Sequence, residues 1–296
     1  MKIGIDLGGS HIAIGVINND GKILEKEERR ILQKEKRNVK EIVKLYITEH
    51  TEEFLKKYKI KEMGIAIPGT VTKDTILKSV NLNIENYNIV DDLKEKINLP
   101  IKIRNDAKCA ALAEHKYGCI SKSENALFLT LGTGIGGAVI YNNDLLEAKE
   151  VPGFEVGHMV IEKDGKLCKC GNKGCFEAYS SMKVLKNNLR DALGVDQSTR
   201  GEELLQMLRE KGEEEPFKST VDSYIEYLAI GISNLINIFE PSIIGIGGSF
   251  VYFEDVLLEK LKDRIIKLNL LFNKRENVKI YTALLGNDAG IIGSVL

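Results

Sequence analysis

Apolar and polar positions alternate with two different periods along the chain, and the switches between them divide it into elements. Ile3 to Leu7 is an apolar strand run, Gly8-Gly9-Ser10 interrupts it as a turn, and Ile12 to Ile17 alternates apolar with small residues. Asn18-Asn19-Asp20-Gly21 is a hairpin signal, and Lys22 to Arg30 reads as a third strand. Val39, Ile42, Val43, Tyr46, Ile47, Phe54 and Leu55 then recur at helical spacing, which predicts a helix over about 38–58. Met63 to Ile67 is a short buried strand that stops at Pro68-Gly69, and Ile101 to Arg104 is another, feeding a helix over about 107–117. A three-strand meander followed by alternating helix and strand implies an α/β lobe.

A comparable series restarts at Ala126. Ala126 to Leu131 reads as a strand, Gly132 to Gly137 as a glycine turn, and Ala138 to Tyr141 as a strand closed by Asn142-Asn143-Asp144. Residues 150 to 180 are loop-rich, with helical patterns following over about 177–192, 201–211 and 217–239. Ile243 to Ile246 is a strand, Gly247-Gly248 a turn, and helices follow over about 251–267 and 287–296. The strand–glycine turn–strand unit thus occurs twice. With no Pro- or Ser-rich linker, two lobes joined by short connections around a cleft are expected: residues 1–118, on which the helix at about 287–296 packs back, and residues 119–286.

Composition narrows the function. The 296 residues are 43% hydrophobic, enough for two buried cores, and 42 basic side chains nearly balance 43 acidic ones. That balance argues against general nucleic-acid or membrane-surface binding, which needs a basic face. No apolar stretch reaches membrane-spanning length and no signal peptide is read at the start, so a cytoplasmic protein is expected. Three of the five cysteines fall within eight positions, a spacing that suggests metal ligation rather than disulfides.

Four motifs bear chemistry. Asp6-Leu7-Gly8-Gly9-Ser10-His11 reads as a plain tight hairpin, or as an anion-binding turn of backbone N–H groups with Asp6 orienting a metal-bound water. Gly132-Thr133-Gly134-Ile135-Gly136-Gly137 meets the dinucleotide fingerprint spacing but continues into a strand where that fingerprint needs a helix, so a second hairpin phosphate loop with Thr133 donating a hydroxyl fits better. Asn105-Asp106, between strand and helix, reads either as an N-cap or as a general base, Asp106, at a strand's carboxyl end. His158 with Cys168, Cys170 and Cys175 makes a closed set of one imidazole and three thiolates, the structural zinc pattern, with Gly171 and Gly174 letting the chain fold back. Glu155 and Glu177 flank it, and Cys109 and Cys119 read as fillers.

In this order and at these intervals, the motifs resemble the ROK family of bacterial sugar kinases over essentially the whole chain. The carrying residues are Asp6 to Ser10, Asn105-Asp106, Gly132 to Gly137, Glu155 to His158 and Cys168 to Glu177. The resemblance implies an α/β, actin-like ATPase (ribonuclease H-like) fold of two lobes around a cleft, ATP with Mg²⁺ as donor, and a homodimer. It implies Asp106 as catalytic base, with Gly69, Asn81, Asn105, Glu155, His158 and Glu177 at the sugar. Asp6, Gly8, Gly9, Ser10, His11, Thr133 and Gly134 would hold the nucleotide's phosphates, and Gly247-Gly248 would flank its adenosine. Ser10 stands where Thr is usual, His11 replaces a frequent Lys or Asn, and 81–87 lacks the Pro and Trp common in glucokinases.

The expected reaction is phosphorylation of a hexose 6-hydroxyl, of glucose first, with N-acetylmannosamine, allose or fructose as alternatives. A sugar-responsive repressor of this family carries a DNA-binding segment before the first phosphate motif, and Asp6 stands almost at the start of this sequence. A sensor without catalysis would lack the base, and Asp106 is present.

Overall fold

The computed structural model describes residues 1–148, 153–268 and 279–296. Residues 150–152 of the predicted loop-rich stretch therefore lie outside the described residues. The chain forms two compact units: Met1–Ser121 with Leu145–Phe154 and Leu285–Leu296, and Lys122–Asp144 with Glu155–Leu284.

In the first unit, β1 (Lys2–Leu7), β2 (His11–Ile17) and β3 (Ile23–Arg30) form the antiparallel meander. After α1 (Val39–Lys57) comes β4 (Met63–Ile67), which adds parallel to β1, and β8 (Ile101–Asn105) adds parallel to β4, giving the order β3-β2-β1-β4-β8. Strands β1, β2 and β4 are apolar on nearly every residue because helices cover the sheet: α1 packs Val43, Ile47 and Phe54 into one core with Ile3, Ile5 and Ile65. α3 (Asp106–Tyr117) and α9 (Ala289–Gly293) pack together; Gly4 and Gly64 admit the backbone of Ile291 and Ser294, where a Cβ has no room. The carboxyl-terminal segment therefore packs on this unit through α9 and a preceding turn at Gly286–Asp288, shorter than the continuous helix expected over 287–296.

The pattern gave no warning of a small antiparallel sheet, β5 (Thr70–Val71), β6 (Thr75–Ser79) and β7 (Ile84–Asn88), nor of α2 (Ile89–Lys94) behind it.

The second unit repeats the arrangement. β9 (Ala126–Leu131) and β10 (Ile135–Tyr141) are antiparallel, β12 (Ile243–Gly247) adds parallel to β9 and β13 (Lys279–Thr282) parallel to β12, with β11 (Asp144–Leu145) beside β10. Helices α6 (Gly201–Lys211) and α7 (Phe217–Phe239) match the expected spans. The helix expected over 177–192 is two, α4 (Glu177–Ser180) and α5 (Met182–Leu193). Ser181 between them is extended and its hydroxyl accepts the Val184 N–H at 3.4 Å, so it caps a new helix instead of continuing the old one. α8 (Glu254–Lys267) starts later than expected, after a 3₁₀ turn over Gly248–Phe253.

Candidate active site

In the first unit the glycine turn joins β1 to β2. The Gly8 N–H donates to the His11 carbonyl at 2.9 Å, a Cβ on Gly8 would enter the His11 ring, and one on Gly9 would press on Asn81 Cβ at 2.8 Å. Glycine is what lets the turn lie this close to its neighbours. Ser10 at its tip is exposed. The Asp6 carboxylate is 3.6 Å from His11 Nε2, and this acidic neighbour holds the imidazole pKa above its ordinary value, with burial opposing in part.

At the β8–α3 junction, Asn105 Oδ1 accepts the Lys108 N–H at 3.2 Å, so Asn105 is the N-cap, while its Nδ2 donates to the Gly69 carbonyl at 3.0 Å. Gly69 has φ +108°, a conformation side chains rarely adopt, and Lys78 backbone fills the place its Cβ would take. Asp106, in the first turn of α3, is half-buried with Oδ1 accepting the Ala107 N–H at 2.8 Å. Capping thus falls to Asn105, and the Asp106 carboxylate stands beside it at the carboxyl end of a parallel strand, where open α/β sheets place ligands. The structure brings Gly69, Asn105 and Asp106 together, and Asn81 against Gly9.

In the second unit the glycine turn joins β9 to β10, and the strand that follows it confirms that the fingerprint spacing is not a dinucleotide turn. Thr133 is exposed at the tip, and the Gly132 N–H donates to the Gly134 carbonyl at 3.0 Å. Ile135 then gathers two predicted sugar segments. Its N–H donates to Glu177 Oε2 at 2.9 Å, with that carboxylate filling the space beside Gly134. Its carbonyl lies where a Cβ on Gly157 would sit, seating the turn from Glu155 to His158 on the start of β10. Glu177 is half-buried and Glu155 exposed.

The imidazole and thiol ligand atoms of His158, Cys168, Cys170 and Cys175 lie within 4.8 Å of one another. Cys168 Sγ is 3.6 Å from His158 Nδ1, and Cys170 Sγ is 3.6 Å from Cys175 Sγ. Zinc–sulfur bonds of about 2.3 Å at tetrahedral angles put ligand atoms about 3.8 Å apart, so the donor set fits zinc. The loop is prepared by its backbone: Gly171 and Gly174 take φ of +96° and +78°, and the Cys168 N–H donates to the Asn172 carbonyl at 2.8 Å. A hydrogen bond from the Asn172 backbone lowers the Cys170 pKa, whereas burial raises that of Cys175 to about 12.

Gly247 ends β12 and Gly248 opens the 3₁₀ turn that follows. Gly248 has φ +73° and packs on Leu131 backbone at the end of β9. Beside them sits a residue no motif signalled: Lys186 of α5, half-buried, donates to Ser249 Oγ at 3.3 Å, and burial lowers its pKa. A lysine in the middle of an amphipathic helix carries no sequence signal of such a place. Glu114 is likewise unsignalled. It is fully buried in α3, where its two oxygens accept the Cys119 and Leu285 N–H groups at 2.8 and 2.7 Å.

Known proteins resemble this chain over nearly its whole length. A glucokinase of Thermotoga maritima is 28% identical, covering 99% of this chain and 95% of that protein. A xylose repressor of Caldicellulosiruptor bescii is 29% identical, covering 99% of this chain and 76% of the repressor. The crystal structure of a Streptomyces griseus ROK family glucokinase with glucose and AMPPNP superposes with a TM-score of 0.82 at 24% identity, covering 99% and 97% of the two chains. The fold is accordingly the two-lobed actin-like ATPase fold. The sequence model described as the ROK family matches residues 2–296, and with both glycine turns, the Asn105-Asp106 junction and the His/Cys cluster in place, the chain belongs to the ROK family.

Proposed function

We propose that this protein is an ATP-dependent hexose kinase that phosphorylates the 6-hydroxyl of a hexose, glucose first among the candidates. The observation that carries the proposal is the Asn105–Asp106 junction: Asn105 caps α3 and donates to the Gly69 carbonyl, and the half-buried Asp106 carboxylate stands next to it at the carboxyl end of β8, where such sheets bind ligands. Asp106 takes the hydroxyl proton as that oxygen bonds to the γ-phosphorus, and the bond from phosphorus to the β–γ bridging oxygen breaks to release ADP. Positioning and charge stabilisation supply most of the rate in such transfers. The N–H groups of the glycine turn of each unit, with Ser10 in the first and Thr133 in the second, would hold phosphates of MgATP; Asp6 would orient a water on its magnesium, and Gly247-Gly248 would flank the adenosine. In the second unit Glu155 and Glu177 would accept sugar hydroxyls and His158, its Nδ1 turned to Cys168, would keep Nε2 for the sugar; in the first, Asn81 and Asn105 would add amide contacts. His158, Cys168, Cys170 and Cys175 would hold a zinc ion, which supplies loop structure and no open coordination position. A homodimer, supported by the family resemblance, and a cytoplasmic location, supported by cysteines placed as thiolate ligands, complete the proposal.

A coupled assay of hexoses with MgATP tests it: phosphorylation of glucose, or of an alternative hexose, is expected, and no turnover of any hexose sinks it. That last result together with retained sugar binding would favour a regulator, the reading to which the xylose repressor relative points.

A further inference from the structure

We propose that the first unit carries a second anion site, distinct from the proposed nucleotide and sugar contacts apart from Asn81, which binds the phosphate monoester of a hydroxyl-bearing small molecule. A hollow of about 680 Å³ lies between the turn at Gln33–Asn38 and the 80–83 turn, with Lys34, Lys36 and Arg37 on one wall and Asn81 and Asn83 on the other. Among the described residues no carboxylate lines it. The acid of that turn, Glu35, is directed away: it pairs with Arg29 at 2.6 Å and accepts the Leu32 N–H at 2.7 Å, and these two contacts hold its pKa low. Arg29 is its ion-pair partner, while Lys34 of the hollow adds only a Coulombic contribution without contact. Among the described residues Lys34 and Arg37 enter no ion pair, and Lys36 donates to the Asn81 carbonyl at 3.0 Å.

Three cations without a facing carboxylate favour a dianion, and the arginine fork matches phosphate oxygens two at a time. Volume and lining extend the argument beyond bare phosphate. A hollow in the size range of small-molecule sites leaves most of its space to the rest of the ligand. Gln33, Asn81 and Asn83 are among its lining residues, and their amides can donate and accept, as hydroxyl groups require. The ligand class is thus a sugar or polyol phosphate, which is also the class of the proposed kinase's product, although the site stands without that reading.

The test is calorimetric titration of the full chain with glucose 6-phosphate and, separately, with inorganic phosphate, in excess glucose, magnesium and AMPPNP so that catalytic contacts are already occupied. One equivalent of glucose 6-phosphate should bind more tightly than inorganic phosphate. The double variant Lys34→Gln/Arg37→Gln should bind it at least about tenfold more weakly, with unchanged thermal unfolding and with hexose kinetics within about twofold of wild type, since both side chains are exposed and outside the proposed machinery. The conservative variant Arg37→Lys, which keeps the charge, should lose less. Equal binding by wild type and the double variant overturns the site, as does no binding up to about 10 mM, an affinity too weak to distinguish from loose charge attraction. Inorganic phosphate binding as tightly as glucose 6-phosphate overturns the polyol assignment. A wild type that binds glucose 6-phosphate but phosphorylates no hexose overturns the kinase reading and leaves this one standing.

Discussion

Glu177 is the residue at which a structural role and the proposed sugar contact separate most cleanly. Its Oε2 accepts the Ile135 N–H at 2.9 Å, and Ile135 is 5% exposed, so that donor has no solvent to turn to. Oε1 has no hydrogen-bond partner among the described residues and is the atom proposed to accept a sugar hydroxyl. Glu177→Gln keeps an acceptor of the same shape and removes the charge; Glu177→Ala removes both. A buried N–H left unpaired costs about 1–3 kcal/mol, so the Ala variant should lose about that much in urea unfolding. The Gln variant should stay within about 1 kcal/mol of wild type, the difference between a charge-assisted and a neutral bond. In a coupled assay at saturating MgATP, Glu177→Gln should raise the hexose KM at least about tenfold, equivalent to about 1.4 kcal/mol, with the ATP KM little changed. A Gln variant with wild-type hexose kinetics refutes the sugar contact and leaves Glu177 as a strut beneath the glycine turn. An Ala variant of wild-type stability refutes the strut.

Asp106→Asn should lower kcat by about 10²–10⁴-fold with hexose affinity within a few-fold, and a variant keeping more than about a tenth of the rate is not missing its base. Metal analysis of protein purified without added metal should find one zinc per chain, lost in Cys175→Ser; a wild-type content near zero contradicts the ligand set. Glu114→Ala orphans the Cys119 and Leu285 N–H groups and should cost roughly 2–5 kcal/mol in urea unfolding, where a loss below 1 kcal/mol means that solvent replaces the carboxylate. The His11–Asp6 pair raises the His11 pKa, so its stabilisation is full below about pH 6.5 and fades as pH rises through the raised folded value. With His11 nearly half exposed the contribution is screened to a few tenths of a kcal/mol. The urea midpoint of wild type relative to His11→Gln should fall between pH 6 and pH 8, and a difference that grows instead has the wrong sign.

Long amphipathic elements were legible because burial writes a period into them. α6 and α7 sit at their expected spans, and the meander of β1 to β3 follows its turn signals. The small sheet of β5 to β7 was not legible: its strands are short and polar, and Asn83 and Asn86 take left-handed φ of 55° and 47°, so the stretch reads as loop. The break at Ser181 was missed for a related reason, since a serine that caps with its own side chain looks like any polar residue on a helix face. The candidate site divides the same way. Glycine turns and thiolate spacing reflect local constraints and show in the residues themselves. The Ile135–Glu177 bond spans 42 positions and the Glu114–Leu285 bond 171, and no local pattern encodes a partner that far away.

The duplication of the sheet explains why the glycine turns by themselves leave the ligand unnamed. The orders β3-β2-β1-β4-β8 and β11-β10-β9-β12-β13 correspond strand for strand, and each places a glycine turn between its central antiparallel pair. The correspondence extends one strand further. β4 and β12 occupy the same place, and each runs into a glycine of positive φ, Gly69 at +108° and Gly248 at +73°. In both cases a neighbouring backbone, at Lys78 or at Leu131, takes the space of the missing Cβ. One backbone device thus stands at the carboxyl end of a parallel strand in each unit, the position at which such sheets bind ligands. What differs is the company it keeps: Asn105 and Asp106 at Gly69, Ser249 and Lys186 at Gly248. On the proposed assignment the first set holds and deprotonates a hydroxyl while the second borders a nucleoside. On that assignment the chemistry resides in side chains delivered by other elements, and the two glycines supply the close backbone packing that sets those elements in place.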